Sequence, residues 1–99
     1  MSDGRATIEV MASHMKGSVA QDLVNPTIEV DGEPTQGTWG LNTLTVPPGQ
    51  HTLKMYHRWL IIRQAYASST TVDVAEGQTV SLGWYAGAAA IRPGVWSVL

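Results

Sequence analysis

The side chains with the chemistry to act on a substrate or a metal are three histidines, a scatter of carboxylates and one serine pair. His51 and His57 lie six positions apart. On an extended backbone they share a face but stand about 20 Å from each other, too far to hold one metal ion. His14 falls in a stretch without periodicity. A zinc centre needs three or four converging ligands, and with no cysteine in the chain neither a thiolate site nor a cysteine nucleophile nor a disulfide is available. Glu29, Asp31, Glu33, Asp73 and Glu76 fall in turns or on alternate strand positions. Paired-carboxylate hydrolysis needs two such groups about 5 Å apart in a cleft. Ser68-Ser69 has neither a Gly-x-Ser-x-Gly elbow nor a histidine placed to serve it. Gly83-Trp84-Tyr85-Ala86-Gly87 is followed by neither a lysine nor a helix start, so it does not read as a phosphate loop. The pattern assigns no catalytic residue, no metal and no cofactor. The expectation is a protein that is not an enzyme, with His51 satisfying backbone groups of a nearby turn.

The elements that carry these residues read as strands. Ala6–Ala12 alternates with Ile8, Val10 and Ala12 on one face. Its Thr-Ile-Glu-Val pattern marks a genuine first strand rather than a cloning remnant ending at His14-Met15. Residues 13–25 have no period and are expected to be a loop. Thr27-Ile28-Glu29-Val30 ends at Asp31-Gly32, a strong turn signal, and a weak edge strand follows over 33–38, where Pro34 denies a ladder bond. Residues 41–46 point Leu44 and Val46 inward. Pro47-Pro48-Gly49-Gln50 predicts a hairpin turn, because Pro48 fixes φ and Gly49 permits a tight reversal. The longest strand then runs over about 51–61, with His51, Leu53, Met55, His57 and Trp59 on one face and Thr52, Lys54, Tyr56 and Arg58 on the other. Met55, Trp59, Ile62 and Tyr66 also fit a helical stripe, but β-branched and aromatic content favours strand. A reversal is expected at 62–68. Strands follow at 69–75, with Val72 and Val74 inward, at 79–85, with Val80, Leu82 and Trp84 inward, and at 95–98. Val46-Pro-Pro-Gly-Gln50 is echoed by Val74-Ala-Glu-Gly-Gln78, which reads as two hairpins of one type.

Ninety-nine residues form one domain with enough chain for a core. Regularly spaced short strands predict an all-β fold, an antiparallel β-sandwich of about seven to eight strands. Charged residues make up 14%, against about 25% in an average globular protein, so apolar surface is less guarded than usual. A net charge of −2 denies the basic face that nucleic-acid binding requires. Met1-Ser2-Asp3-Gly4-Arg5 does not read as a leader, and no run approaches the roughly 20 apolar residues of a membrane helix.

Ile28-Glu-Val-Asp-Gly32, Val46-Pro-Pro-Gly-Gln-His51, Val72-Asp-Val74 and Gly77-Gln-Thr-Val80 together resemble the PEGA-type domains of bacterial surface and envelope proteins. The likeness covers about residues 26–85. The chain is also similar to small actinobacterial proteins in which a Trp-Gly pair, here Trp39-Gly40, precedes the Pro-Pro-Gly turn. The resemblance implies an immunoglobulin-like or prealbumin-like sandwich, used as a non-catalytic module at the cell surface or near a membrane. It supplies no catalytic residue. Trp59-Leu60-Ile61-Ile62 stands where the family closes its long strand with tyrosines.

If the strands run up and down, the turns at 47–50 and 76–78 share one end of the sandwich. The opposite end then gathers Leu60, Ile61, Ile62, Tyr66, Tyr85 and Ile91, with charge limited to Arg63 and Arg92. Such an end is expected to meet a protein partner or a second copy, in the cytoplasm or beside a membrane of a bacterium. A different function follows if Trp39 and Tyr56 are exposed: stacking platforms for a small ligand or glycan.

Overall fold

The computed structural model describes residues 4–14, 21, 24–59, 62–87 and 93–99. They form eight strands: β1 (Ala6–His14), β2 (Thr27–Val30), β3 (Glu33–Gln36), β4 (Gly40–Val46), β5 (Gly49–Trp59), β6 (Ile62–Val74), β7 (Thr79–Ala86) and β8 (Val95–Val98). The fold is all-β, in two four-stranded sheets ordered β4-β1-β7-β8 and β3-β2-β5-β6. Every pairing is antiparallel except that of β1 with β7, which is parallel from Thr7↔Thr79 to His14↔Ala86.

Alternation decides the faces. Ile8, Val10 and Ala12 from β1, Leu82 and Trp84 from β7, Leu53 and Met55 from β5 and Val74 from β6 are buried in one core. Completely burying side chains such as Ile8 and Leu53 contributes about 1.5–3 kcal/mol each. The Asp31-Gly32 turn is made as expected. Both residues have positive φ, 52° and 87°, the conformation a two-residue hairpin of this twist requires and one that Asp and Gly tolerate best.

Three expectations are corrected. Pro47-Pro48 does not close a hairpin: β4 belongs to one sheet and β5 to the other. The segment is a corner that carries the chain across the core, and Ala75–Gln78 does the same between β6 and β7. The sequence echo therefore marks two sheet-crossing corners. Secondly, β5 stops at Trp59 and β6 starts at Ile62, so 62–68 is strand rather than reversal, and Met55, Trp59, Ile62 and Tyr66 all lie in strands. Thirdly, β1 continues through His14, two residues into the expected loop.

The β5–β6 ladder explains why period-2 reading failed over 62–68. Met55 opposes Ser68, His57 opposes Ala65 and Trp59 opposes Ile62, so β6 carries an extra residue at each of two register shifts. Tyr66 adopts φ 60° at the first of them, which is uncommon for a bulky residue. The bulge turns two consecutive side chains, Ala65 and Tyr66, into the core.

Gly94 lies against the Trp84 indole, where an added Cβ would clash with Nε1 and the neighbouring ring carbons. Its N–H also donates to the Tyr66 carbonyl at 2.8 Å. Gly94→Ala is expected to destabilise by about 1–3 kcal/mol through overpacking. Gly87→Ala, whose Cβ would meet only Tyr85 Cε1 at 3.7 Å, should stay within about 0.5 kcal/mol of wild type. Urea denaturation of the two variants makes the comparison.

Candidate functional site

The turn end of the sandwich is fastened by His51, which is 8% exposed. Its Nδ1 lies 2.6 Å from the Asp31 carboxylate, and its Nε2 lies 2.6 Å from the Pro47 carbonyl. Both partners accept only, so both ring nitrogens donate when the imidazole is protonated. The Asp31 hydrogen bond and then the Pro47 carbonyl raise the His51 pKa above its ordinary value. Asp31 is held below the ordinary carboxylate value, chiefly by His51 and then by the Thr52 N–H it accepts at 2.9 Å. His51 thus joins the β2–β3 turn to the corner between the sheets. It is a structural clamp, with every bond used internally.

The other end closes on His57, which is fully buried. Its Nδ1 donates to the Arg58 carbonyl at 2.9 Å, and its Nε2 lies 3.3 Å from the Gln21 amide nitrogen. That pairing fits a neutral ring with the proton on Nδ1 and the amide donating to Nε2. Burial pushes the His57 pKa down, with a smaller contribution from His14. Its ring stacks on Tyr66 at 4.9 Å and meets the edge of Trp39 at 5.5 Å. Trp39 also stacks near Trp84 at 6.2 Å and packs edge-on against His14 at 4.5 Å. The Trp39 indole donates to the Gln21 and Val24 carbonyls at 2.9 and 2.7 Å, and that of Trp84 donates to Ser68 Oγ at 3.0 Å.

Of the residues expected to form a sticky end, three are described: Ile62, Tyr66 and Tyr85. Tyr66 is a core residue, turned inward by the bulge. Ile62 is half-buried and packs on the core. Tyr85 is 43% exposed. Leu60, Ile61 and Ile91 lie outside the described residues. The two expected stacking platforms are engaged as well. Trp39 is half-buried in the aromatic cluster. The Tyr56 hydroxyl donates to Glu29 at 2.7 Å, and the Lys54 ammonium stands 5.5 Å from its ring centroid.

Exposed apolar side chains gather instead on the outer face of the first sheet. Register sets Leu41 opposite Met11, Met11 opposite Gly83, and Tyr85 opposite Val95. These four side chains and Leu99 are 43–70% exposed. Gly83 has no side chain between Met11 and Ser97, and Leu99 lies over it: an added Cβ would meet Leu99 Cδ2 at 3.4 Å. The result is a shallow trough of about 340 Å³ lined by Glu9, Met11, Leu41, Ser81, Leu82 and Leu99. Sequence reading missed it because on the outward face of its own strand each residue stands beside only polar residues or glycine. The face exists only once four strands are laid side by side.

The second sheet presents a polar outer face. An open groove of about 410 Å³ there is lined by Val24, Asn25, Thr27, Pro34, Thr35, Gln36 and Arg58. Among the described residues no three of His, Cys, Asp and Glu converge to hold a metal ion, and no helix is long and apolar enough to cross a membrane. The chain matches no protein-family model, no curated protein and no solved structure.

The two buried histidines pull stability in opposite directions as pH changes. His51 binds its proton more tightly when folded. Its contribution is full below the unfolded histidine value of about 6.5 and is lost as pH rises through the raised folded value. Asp31 contributes above the ordinary carboxylate value and loses that contribution as pH falls through its lowered one. His57 is buried neutral, so its contribution is present above about pH 6.5 and is lost as pH falls. Between about pH 7.5 and pH 5, His51→Gln is therefore expected to lose more stability than wild type, and His57→Gln less. Urea midpoints of the three proteins at both pH values test this. Parallel losses would show that these groups do not set the dependence.

Proposed function

We propose that this chain is a non-catalytic β-sandwich interaction module that meets a protein partner through the outer face of its first sheet. The observation that carries the reading is the trough between Leu41, Met11 and Leu99, continued by Tyr85 and Val95. Isolated apolar residues are ordinary on a protein surface. A run of them across adjacent strands, with Glu9 as the one charged group lining the trough, is the signature of a contact surface.

Strand order supports the prealbumin-like form of the sandwich over the immunoglobulin-like one. In an immunoglobulin sandwich the first two strands share a sheet, whereas β1 and β2 lie in different sheets here. The PEGA-type likeness is supported by where its motifs fall: Asp31-Gly32, Pro48-Gly49 and Gly77 make the reversals at one end. Such a module would act at the bacterial cell surface or beside a membrane anchor.

A second reading has its own observation. The groove on the other sheet offers the Arg58 guanidinium with neutral hydrogen-bonding groups from Asn25, Thr27, Thr35 and Gln36. That set suits a small polyhydroxylated ligand.

The face reading predicts that immobilised wild-type protein retains a partner that a Met11→Asp, Tyr85→Asp variant with unchanged melting temperature does not. Arg58→Ala should retain it. Retention by the double variant would overturn the face reading. Glycan binding abolished by Arg58→Ala and kept by the double variant would establish the second one instead.

A further inference from the structure

The edges of the two sheets differ in how they are protected. The four edge strands are β4 and β8 in the first sheet and β3 and β6 in the second. Natural sheets blunt their edges with charge, proline, bulges or short length. β3 is four residues long and carries Glu33 and Pro34. β6 carries Arg63 and Asp73 and is broken by two register shifts. β8 is four residues long. β4 has none of these devices. Its seven residues, Gly-Leu-Asn-Thr-Leu-Thr-Val, include neither a charge nor a proline. They stay in unbroken register with β1 from Gly40↔Ala12 to Val46↔Ala6. Among the described residues β1 is the only strand hydrogen-bonded to β4.

The edge is also held ready. Asn42 is 8% exposed. Its amide nitrogen donates to the carbonyls of Val10 at 3.2 Å, Thr38 at 2.9 Å and Gly40 at 3.2 Å, and its Oδ1 accepts the Thr38 N–H at 2.8 Å. This side chain fixes the start of β4 against the sheet. A strand that is already rigid loses little conformational entropy when another strand joins it.

We propose that β4 pairs with β4 of a second copy of this chain, antiparallel, about a two-fold axis at Thr43. Two arguments select the second copy. An uncharged strand facing itself brings no like charges together, so the edge is compatible with its own image. Full overlap of Gly40–Val46 also places the axis at the central residue, Thr43. That register sets Thr43 opposite Thr43 of the second copy and Leu41 opposite its Thr45, all on the outer face. On the inner face Asn42 meets Leu44 and Gly40 meets Val46. Inner positions face inner positions throughout, as a continuous sheet requires. The outward-directed half of the strand's backbone groups then makes about six to eight hydrogen bonds across the axis. The two apolar faces become one, because Leu41 and Met11 of each copy border the junction. The pairing uses the edge of the sheet and does not depend on the face having a partner.

The absence of cysteine makes the register directly testable. Directly opposed strand positions hold their Cβ atoms about 4.5–5.5 Å apart, close enough to bridge with a small adjustment. Under mild oxidation Thr43→Cys is expected to give a disulfide-linked dimer. Leu41→Cys and Thr45→Cys should each give little alone and cross-link when mixed with one another. Sedimentation should show a wild-type dimer that Thr43→Lys weakens by about tenfold, with dimer restored by mixing Thr43→Lys with Thr43→Glu. Thr43 is exposed in the single chain, so these variants should keep the wild-type far-UV circular-dichroism spectrum, and any fall in melting temperature should follow the lost dimer. A wild-type monomer up to the solubility limit would overturn the proposal. So would a dimer insensitive to Thr43→Lys, or equal cross-linking at 41, 43 and 45. Retention of the partner by the Met11→Asp, Tyr85→Asp variant, with dimerisation intact, would overturn the face reading alone.

Discussion

The molecule depends on one constraint: the chain must leave one sheet, pass over the end of the core and enter the other with the backbone groups of each corner held in place. It does so at Pro47-Pro48 and again at Ala75–Gln78, both at the same end. Proline suits the first corner because it has no N–H to satisfy. The Pro47 carbonyl is met by His51 Nε2. At the second corner the Ala75 N–H is met by the Gln78 side chain at 2.8 Å, and the Gly77 N–H by the Arg5 carbonyl at 2.8 Å. With both corners satisfied, two sheets that share no strand hydrogen bonds close over one core.

The far end solves a different problem. Among the described residues it is filled by aromatic area, with polar tips tied inward. His57 serves there as a flat, neutral ring with hydrogen-bonding ability at two points. The same residue type therefore has opposite electrical roles at the two ends of one strand: it favours the charged form at position 51 and the neutral form at position 57. Environment decides this, through an acceptor-only pair in one case and desolvation in the other. Neither ring is left open to a substrate.

Much of the architecture was legible from alternation. Ile8, Val10, Ala12, Leu53, Met55, Val74, Leu82 and Trp84 all face the core as their spacing dictates. Asp31-Gly32 turns where it should. What was not legible has specific causes. Whether a turn returns a strand to its own sheet or sends it to the other is not encoded in four residues, so the two corners resembled hairpins. A bulge breaks the count of two, which hid the inward swing of Tyr66. The candidate surface was invisible for a topological reason. Leu41, Met11, Tyr85 and Leu99 are distant in the chain, and only the order β4-β1-β7-β8 makes them neighbours.

The position of β1 bears on how the molecule is made. Of the eight strands it comes first in the chain, yet it lies in the interior of its sheet, flanked by β4 on one side and, in parallel, by β7 on the other. Thr7 must wait for Thr79. A nascent chain therefore carries Ile8 and Val10 without their final cover until β7 has been translated, and that pairing closes a very long loop. Topologies of this kind fold slowly and late, and their early strands are the ones a ribosome-associated chaperone would find uncovered.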